Sequence, residues 1–262
     1  MMPTINDAPV VLGVSELRGL GERFGVQTWP VVLDPTLRSD RADDAVEPAT
    51  VASELIDHDE PVPWLATVLR VLSKPDREIE MRSFAQNGIR RVCLARRGYE
   101  HVLAERNGDR VALTVLESAD LDTVAGTIRA RFEDVPACEF TAFSAPTDEL
   151  VDRLGECRTS TEITDALFTL GAPFADAAVA GAALASCRVR TEIVATSDED
   201  GRFAQSSGAV AVFDTARGRV VSSPSKSPDG RVWTTLSPGS GHRITQAVRL
   251  LVETLPTGTW ST

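Results

Sequence analysis

The side chains that could carry acid–base or metal chemistry are few and widely spaced in this sequence. Its three histidines, His58, His101 and His242, fall in three different predicted elements. The sequence contains no H-x-x-x-H or H-E-x-x-H motif and no Cys/His cluster, although zinc sites need such ligands close together. We therefore expect neither a metal site nor a cofactor.

The four cysteines, Cys93, Cys138, Cys157 and Cys187, show no C-x-x-C spacing that would indicate a redox or metal motif. Cys93 lies among apolar strand residues, where a free thiol behaves as a small hydrophobic side chain. Reduced, structural cysteines are the expectation, and they are consistent with a cytoplasmic protein.

The segment Ser237–Gly241 is the best remaining candidate for chemistry. A helix start can bind an anion through its free N–H groups, but this one lacks the lysine and glycine spacing of a nucleotide loop. His242, near the start of the last predicted helix, could join Ser240 and Asp229 in a catalytic triad only if the fold happened to bring all three side chains together. A strand end followed by a helix N-cap explains the segment more simply. The sequence gives no positive sign of an enzyme, and we expect none.

The stretch from Val189 to Leu255 supplies the first group of elements that must position any site. It predicts four short strands and then a helix whose apolar face recurs at helical spacing. The strands are Arg190–Thr196, Ala209–Asp214, Arg219–Ser223 and Arg231–Leu236, and the polar stretch Ser197–Ser207 is predicted to be a turn. The apolar helix face is Ile244, Ala247, Val248, Leu251 and Leu255.

The same order of elements occurs once earlier in the chain. Turn signals such as Asn87-Gly88 separate four strand-like runs, and a helix over Leu121–Phe132 follows them. The runs are Glu78–Phe84, Ile89–Ala95, Tyr99–Glu105 and Arg110–Leu116. An apolar helix precedes each quartet, Trp64–Leu72 the first and Ala175–Cys187 the second. This repetition predicts one α+β domain over residues 1–262 with two pseudo-symmetric halves, about 14–146 and 147–260.

The remaining segments connect these modules. Residues 1–12 and 133–146 are expected to be irregular, residues 34–48 to form a loop, and a cluster of helices to fill Asp148–Cys187. Val14–Phe24 predicts a helix and Ala49–Ile56 a short one. Val26–Leu33 predicts an edge or bent strand, because Pro30 cannot donate a ladder hydrogen bond.

The acidic composition excludes some partners. The net charge is −11, whereas binding to nucleic acid or anionic lipid needs a basic surface. No run approaches the roughly 20 apolar residues of a membrane span. The first residues lack the basic and apolar regions of a signal peptide, so a cytoplasmic location is expected.

Four tracts of the second half follow one another in the chain: Arg190–Ala195, Gly208–Thr215, Leu236–Ser240 and Gly258-Thr259-Trp260. In this order and spacing they resemble the EspG family, the secretion-associated chaperones of ESX (type VII) systems. In the first half, Val92–Gly98 is also similar to family members. The resemblance implies an α+β fold of quasi-two-fold symmetry, with a central antiparallel sheet flanked by helical bundles.

The resemblance also implies a function. Members of the family bind PE–PPE heterodimers, cover the exposed apolar tip of the helical PPE subunit, keep it soluble and direct it to its cognate ESX machinery. They grip that partner with the sheet surface, with the loop between the second and third strands, and with the C-terminal helical bundle.

Locating these contact regions in this chain, as the resemblance implies them, gives a set of candidate contact residues. With Val26–Leu33 counted as the first strand, the loop lies between Phe84 and Ile89 and is short compared with those of some relatives. The candidates are Ala85, Gln86, Asn87 and Gly88 in the loop, Phe168, Leu170, Pro173 and Phe174 in the helical cluster, and Arg190 and Glu192 on the strand after it.

Two other functions are compatible with the same elements. One is a small-molecule-binding or enzymatic α+β domain with a site between the two halves, which would need converging polar and ionisable groups. The other is a structural scaffold, which would show a permanent interface.

Overall fold

The computed structural model describes residues 9–33, 55–117, 119–199 and 201–260. The fold is α+β, as predicted, with a large antiparallel sheet and several helices. The chain forms two compact units: unit 1 holds the described residues up to 82, 88–119 and 197–203, and unit 2 holds 83–87, 120–196 and the described residues from 204 onward.

Unit 1 contains the first predicted strand quartet. Its strands are β1 (Val10–Gly13), β2 (Ile56–Asp57), β3 (Glu60–Pro61), β4 (Arg77–Ala85), β5 (Gly88–Arg97), β6 (Glu100–Asn107) and β7 (Arg110–Leu116). Its helices are α1 (Val14–Arg23) and α2 (Pro63–Ser73). The strands lie in the order β1-β7-β6-β5-β4, while β2 and β3 form a separate hairpin. Tight turns join β4 to β5, β5 to β6 and β6 to β7, and β1, which is distant in sequence, pairs antiparallel with β7.

Helices α1 and α2 cover one face of the unit 1 sheet. Strand side chains alternate between faces, and Cys93, Ala95 and Ala104 point into the core under these helices. Leu65 and Leu72 of α2 are fully buried against them. The buried thiol of Cys93 thus has the structural role that was predicted for it.

Unit 2 contains the second quartet and most of the helices. Its helices are α3 (Leu121–Arg129), α4 (Thr147–Gly155), α5 (Ser160–Thr169), α6 (Phe174–Ala185) and α7 (Gly241–Glu253). Its strands are β8 (Phe143–Pro146), β9 (Cys187–Glu199), β10 (Arg202–Gln205), β11 (Val210–Thr215), β12 (Gly218–Lys226) and β13 (Val232–Pro238). The order is β9-β11-β12-β13-β8, with β10 paired to β9; β4, β9 and β10 each have residues in both units.

The unit 2 sheet has helices on both faces. Val220 of β12 belongs to a core formed with the buried alanines of α6, including Ala180. The next residue, Val221, is also buried and points to the opposite face because successive strand side chains alternate. Helix α7 also packs on β11 and β12, and its predicted apolar residues Ile244, Ala247, Val248 and Leu251 are buried. Leu255, which was predicted to belong to the same face, is buried too but follows the end of the helix at Glu253.

Close packing of α5 on α6 depends on a glycine. A Cβ atom placed on Gly181 would lie 2.5 Å from the Thr164 hydroxyl oxygen and 3.0 Å from the Thr164 backbone nitrogen. At the start of α5, Thr159 and Glu162 form a reciprocal capping box. The helical cluster is therefore fixed by both caps and interhelical contact.

Some sequence predictions were wrong in this structure. Val26–Leu33 is not a strand; its residues form turns and irregular backbone, held by packing and side-chain hydrogen bonds. The edge position belongs to β1, which lies in the segment predicted to be loose and pairs with β7. The predicted contact loop between Phe84 and Ile89 is the turn between β4 and β5. It was located by counting Val26–Leu33 as the first strand, and that count was wrong.

Other differences are smaller. The predicted turn Ser197–Ser207 contains the end of β9 and all of β10, and the predicted irregular segment 133–146 ends in β8, which pairs with β13. Helix α3 ends at Arg129, before the predicted Phe132. The predicted loop over 34–48 and most of the predicted helix Ala49–Ile56 lie outside the described residues, and Ile56 is in β2.

Candidate functional site

The residues with potential chemistry lie apart and make local contacts. His58 is exposed beside Asp57, His101 is buried on β6 where desolvation lowers its pKa, and His242 is exposed in the first turn of α7. Among the described residues, no three His, Cys, Asp or Glu side chains gather into a group that could hold a metal ion.

The possible triad residues have structural roles instead. The Ser240 hydroxyl accepts a hydrogen bond from the Arg243 N–H at 3.3 Å and caps α7, which confirms the predicted N-cap. The Asp229 carboxylate accepts hydrogen bonds from Ser227 and from the Arg231 N–H within its own turn. These side chains therefore cap and close turns, and the structure gives them no shared reaction centre.

One face of β9 carries a polar patch next to an aromatic ring. Arg190 and Glu192 form an ion pair of 3.2 Å on this face, while Thr191 is buried on the other. The Arg190 guanidinium also lies over the ring of Phe84, 5.1 Å from its centre. Arg190 and Glu192, two of the predicted contact residues, are thus beside the last residues of β4.

The end of β4, just before the turn to β5, is hydrogen-bonded to β9. The Thr191 hydroxyl of β9 donates to Ser83 Oγ of β4 at 2.9 Å, on the face opposite the ring of Phe84. Ala85 follows as a half-buried residue, and the exposed Gln86 and Asn87 form the two-residue turn before β5. Gly88, also exposed, begins β5.

The helical cluster carries an exposed aromatic pair. Phe168 at the end of α5 is 53% exposed and Phe174 at the start of α6 is 61% exposed. Their ring centres lie 5.8 Å apart with an interplanar angle of 86°, an edge-to-face arrangement. Gly171 turns the chain between them with φ of +100°, a left-handed conformation that favours glycine.

The other two predicted residues of this cluster differ in exposure. Leu170 is half-buried and packs against the core of unit 2, so it supports the turn at Gly171 on its buried side. Pro173 is exposed at the N-cap of α6. The apolar surface at this end of the cluster is therefore formed mainly by Phe168, Pro173 and Phe174.

Helix α6 extends the apolar surface beyond the ring pair. Its core face is made of alanines, and its outer face is also apolar, with Ala175 and Val179 exposed. After Asp176 in its first turn, the helix is apolar on every side, and such a helix is usually buried on every side. The outer face is thus the kind of surface that a partner covers.

Two residues of these surfaces were not among the predicted contacts. Phe84 was assigned only as a strand end, although its position before an Asn-Gly turn was a usable signal. Val179, which is exposed, was also missed. For Val179, the signal was the apolar run over 177–185, which follows Asp176 and leaves no polar side chain in the rest of α6.

No helix of the described residues is both long enough and apolar enough to span a membrane.

Comparison with known proteins places these features in a family. The model of the EspG family matches residues 14–249. The chain is 30% identical over 207 residues to the ESX-1 secretion-associated protein EspG1 of Mycobacterium tuberculosis, covering 78% of this chain and 69% of that protein. It is 27% identical over 198 residues to the ESX-3 secretion-associated protein EspG3 of Mycolicibacterium smegmatis, covering 75% of this chain and 66% of that protein, just under two thirds of its length.

A solved structure shares the fold. The type VII secretion system chaperone EspG5 of Mycobacterium tuberculosis, solved in complex with a PE25–PPE41 dimer, superposes with a TM-score of 0.80. The match covers 97% of this chain and 99% of that one at 19% identity, which establishes the likeness of fold. Because the family model spans nearly the whole chain, the protein belongs to the EspG family.

Proposed function

We propose that this protein is a type VII secretion chaperone that binds a PE–PPE heterodimer and covers the apolar helical tip of its PPE subunit. Membership of the EspG family supports this function, as does the fold shared with a chaperone solved together with a PE–PPE dimer. The observation that carries it is the exposed ring pair of Phe168 and Phe174 beside the apolar outer face of α6.

The proposed mechanism is physical. An apolar helical tip in water associates with others of its kind, because exposed patches of this sort drive aggregation. Covering it removes apolar area from water at roughly 25 cal/mol per Å². Two aromatic side chains are efficient anchors, because each buries a large area and loses few rotamers when it is fixed.

The polar residues near β9 are proposed to select the partner. Arg190, Glu192 and the turn residues Gln86 and Asn87 offer charges and amides beside the ring of Phe84. A mismatched tip would leave such groups desolvated without partners, which penalises binding. We therefore assign Ala85–Gly88, Arg190 and Glu192 to recognition, and Phe168, Leu170, Pro173 and Phe174 to the apolar anchor.

The proposal includes where and how the protein acts. It works in the cytoplasm, as one domain with two related halves, and performs no catalytic step. Its net charge of −11 supports this role, because charge repulsion keeps the complex dispersed before secretion.

Co-expression with candidate PE–PPE pairs tests the function. A pair that is insoluble alone should become soluble and co-purify with this chain.

The double variant Phe168→Ala/Phe174→Ala should bind that PE–PPE pair at least tenfold more weakly than the wild type. Phe203→Ala is the matched control, because Phe203 is 70% exposed but belongs to unit 1. Failure of PE–PPE pairs from every ESX system to bind would contradict the proposal.

A further inference from the structure

Two large aromatic side chains are exposed at one end of the unit 1 sheet. Tyr99, in the turn between β5 and β6, is 82% exposed, and Phe203 of β10 is 70% exposed. Both residues belong to unit 1. Aromatic rings bury a large area and lose few rotamers when they are fixed, so a partner that covers them gains much binding energy. Two such rings at one end of a sheet therefore favour a contact surface.

Asp76, just before β4, connects the two turns that carry these rings. Its N–H donates to the carbonyl of Arg96 in β5 at 2.7 Å, and its carboxylate accepts the Gly98 N–H at 2.6 Å. On its other side, its carbonyl accepts the N–H of Asp198 in β9 at 2.9 Å. The turn before β6 and the end of β9 are thus held on either side of the start of β4.

The order of the strands gives the distance between the two aromatic positions. β10 pairs with β9, and because the Asp198 N–H of β9 points to β4, β10 lies along the other edge of β9. This end of the sheet therefore runs β5-β4-β9-β10, which is three strand spacings or about 14 Å. An extended peptide of about five residues covers that distance.

Most acidic side chains at this end are already engaged. Glu100 accepts a hydrogen bond from Arg70 Nε at 2.9 Å, and Glu199 pairs with the buried Arg77. Asp198 has one carboxylate oxygen, Oδ1, that is buried and has no hydrogen-bond partner among the described residues. The charges of Glu100 and Glu199 are therefore balanced by arginines of unit 1.

Three basic side chains at the same end have no such partner. Lys74 follows α2, Arg97 ends β5 and Arg202 begins β10. None of the three forms an ion pair with a carboxylate in the described part of the chain. Arg97 uses one N–H of its guanidinium on the Arg70 carbonyl, at 2.8 Å, while Lys74 and Arg202 are exposed. These cations are available to a carboxylate from outside.

The local charge is opposite in sign to that of the whole chain. The stretches 70–77, 96–100 and 198–203, which form this end, hold six Lys and Arg against five Asp and Glu, a net charge of +1. The whole chain has a net charge of −11. An acidic partner is therefore repelled by most of the protein and attracted here, which selects this end and orients the partner on it.

We propose that this end of unit 1, formed by Lys74, Arg97, Tyr99, Arg202 and Phe203, binds a short acidic segment of another protein in an extended conformation. Carboxylates of the segment pair with the three cations, and apolar side chains near its ends cover the two rings. Arginine suits this role because its planar guanidinium binds a carboxylate through two parallel N–H donors. The site lies in unit 1 and does not rest on the proposed function.

The same charges disfavour nucleic acid as the ligand. A nucleic acid strand carries a phosphate at every nucleotide, and its binding needs a basic surface along its whole path. The cations here are few, and the chain around them is acidic. A short peptide places its carboxylates only where the cations are.

Fluorescence anisotropy with a labelled peptide tests the site in the intact chain. The probe peptide has leucines flanking four alternating aspartates and glutamates, and its control has asparagines and glutamines in place of the acids. The chain should bind the acidic peptide at least tenfold more tightly than the amide peptide. Raising the salt concentration from about 50 mM to about 500 mM should weaken that binding at least fivefold, because exposed charges are screened.

Double variants locate the binding site on the chain. Arg97→Gln/Arg202→Gln should bind the acidic peptide at least tenfold more weakly than the wild type, and Tyr99→Ala/Phe203→Ala at least fivefold more weakly. The matched control is Arg18→Gln/Arg110→Gln, which removes two exposed arginines of unit 1 in α1 and in β7. This control should retain the wild-type affinity.

Four results would overturn the proposal. One is equal binding of the acidic and the amide peptide, and another is wild-type affinity in both double variants. The third is tighter binding of a single-stranded oligonucleotide with the same net charge as the peptide, which would make nucleic acid the ligand. The fourth is a dimer of the free chain, seen by sedimentation, that Tyr99→Ala/Phe203→Ala abolishes, since a second copy would then occupy the surface.

Discussion

The guanidinium of Arg190 lies over the ring of Phe84, 5.1 Å from the ring centre, and joins the polar face of β9 to the end of β4. This contact brings the predicted partner-binding residues of β9, Arg190 and Glu192, next to the predicted partner-binding loop between β4 and β5. Cation–π contacts at exposed sites contribute about 0.5–1 kcal/mol. Arg190 is about half exposed, so the contact matters more for a partner that covers it than for folding.

Arg190→Ala should therefore weaken partner binding with little effect on stability. The affinity for the PE–PPE dimer should fall about tenfold, because the variant removes a charge and frees Glu192 and Phe84. The free energy of unfolding should change by less than about 1 kcal/mol, as is usual for exposed ion pairs. Titration calorimetry and denaturant unfolding measure the two quantities. Arg217→Ala, in the exposed β11–β12 turn, is the control and should leave both unchanged.

Replacing both rings, Phe168→Ser and Phe174→Ser, should reduce self-association of the free chain. Exposed apolar patches promote contacts between copies, and these two rings form the largest side chains of the patch. Static light scattering at rising protein concentration measures the effect. If the double variant associates as strongly as the wild type while Phe203→Ser associates less, the apolar surface has been assigned to the wrong unit.

Gly181→Ala should destabilise the helical cluster. The added methyl group would meet the Thr164 hydroxyl at 2.5 Å and the Ser160 carbonyl at 3.1 Å, so α5 and α6 would have to separate. Overpacking of this kind costs about 1–3 kcal/mol. Thermal unfolding should show a lowered midpoint. Gly126→Ala in α3 is the matched control, since nothing lies within 4 Å of its added carbon, and it should not lower the midpoint.

The stability of the chain should fall as the pH rises towards 8. Glu78 has a raised pKa of about 8 in the folded protein, so its contribution is fully present below the unfolded carboxyl pKa and is lost as the pH rises through the folded value. The slope from this group is at most about 1.4 kcal/mol per pH unit. Urea unfolding at pH 6, 7 and 8 measures it. A Glu78→Gln variant with the same slope as the wild type would show that another group is responsible.

Much of the fold could be predicted because the sequence signals were local. Asn-Gly and Asp-Gly turns separated runs of alternating or β-branched residues, and helical spacing marked α2 and α7. The family could also be predicted, because its tracts occur in order along nearly the whole chain.

The errors arose where tertiary contacts override local preference. Val26–Leu33 has the composition of a strand, but Pro30 is buried and two of the segment's hydrogen bonds are to Glu80 and Arg106, which are distant in sequence. Conversely, Val10–Gly13 is too short to stand out as a strand and is fixed by its pairing with β7. The Arg190–Phe84 contact joins residues 106 positions apart, which no local pattern reveals.

Site-specific photocrosslinking tests the central claim most directly. A benzophenone side chain at position 174, in the chain co-expressed with a PE–PPE pair, should crosslink to the PPE subunit at its helical tip. The same group at position 203 should not crosslink, because Phe203 is even more exposed than Phe174, at 70% against 61%, but lies in unit 1. Crosslinking to PPE from position 203 and not from position 174 would contradict the account.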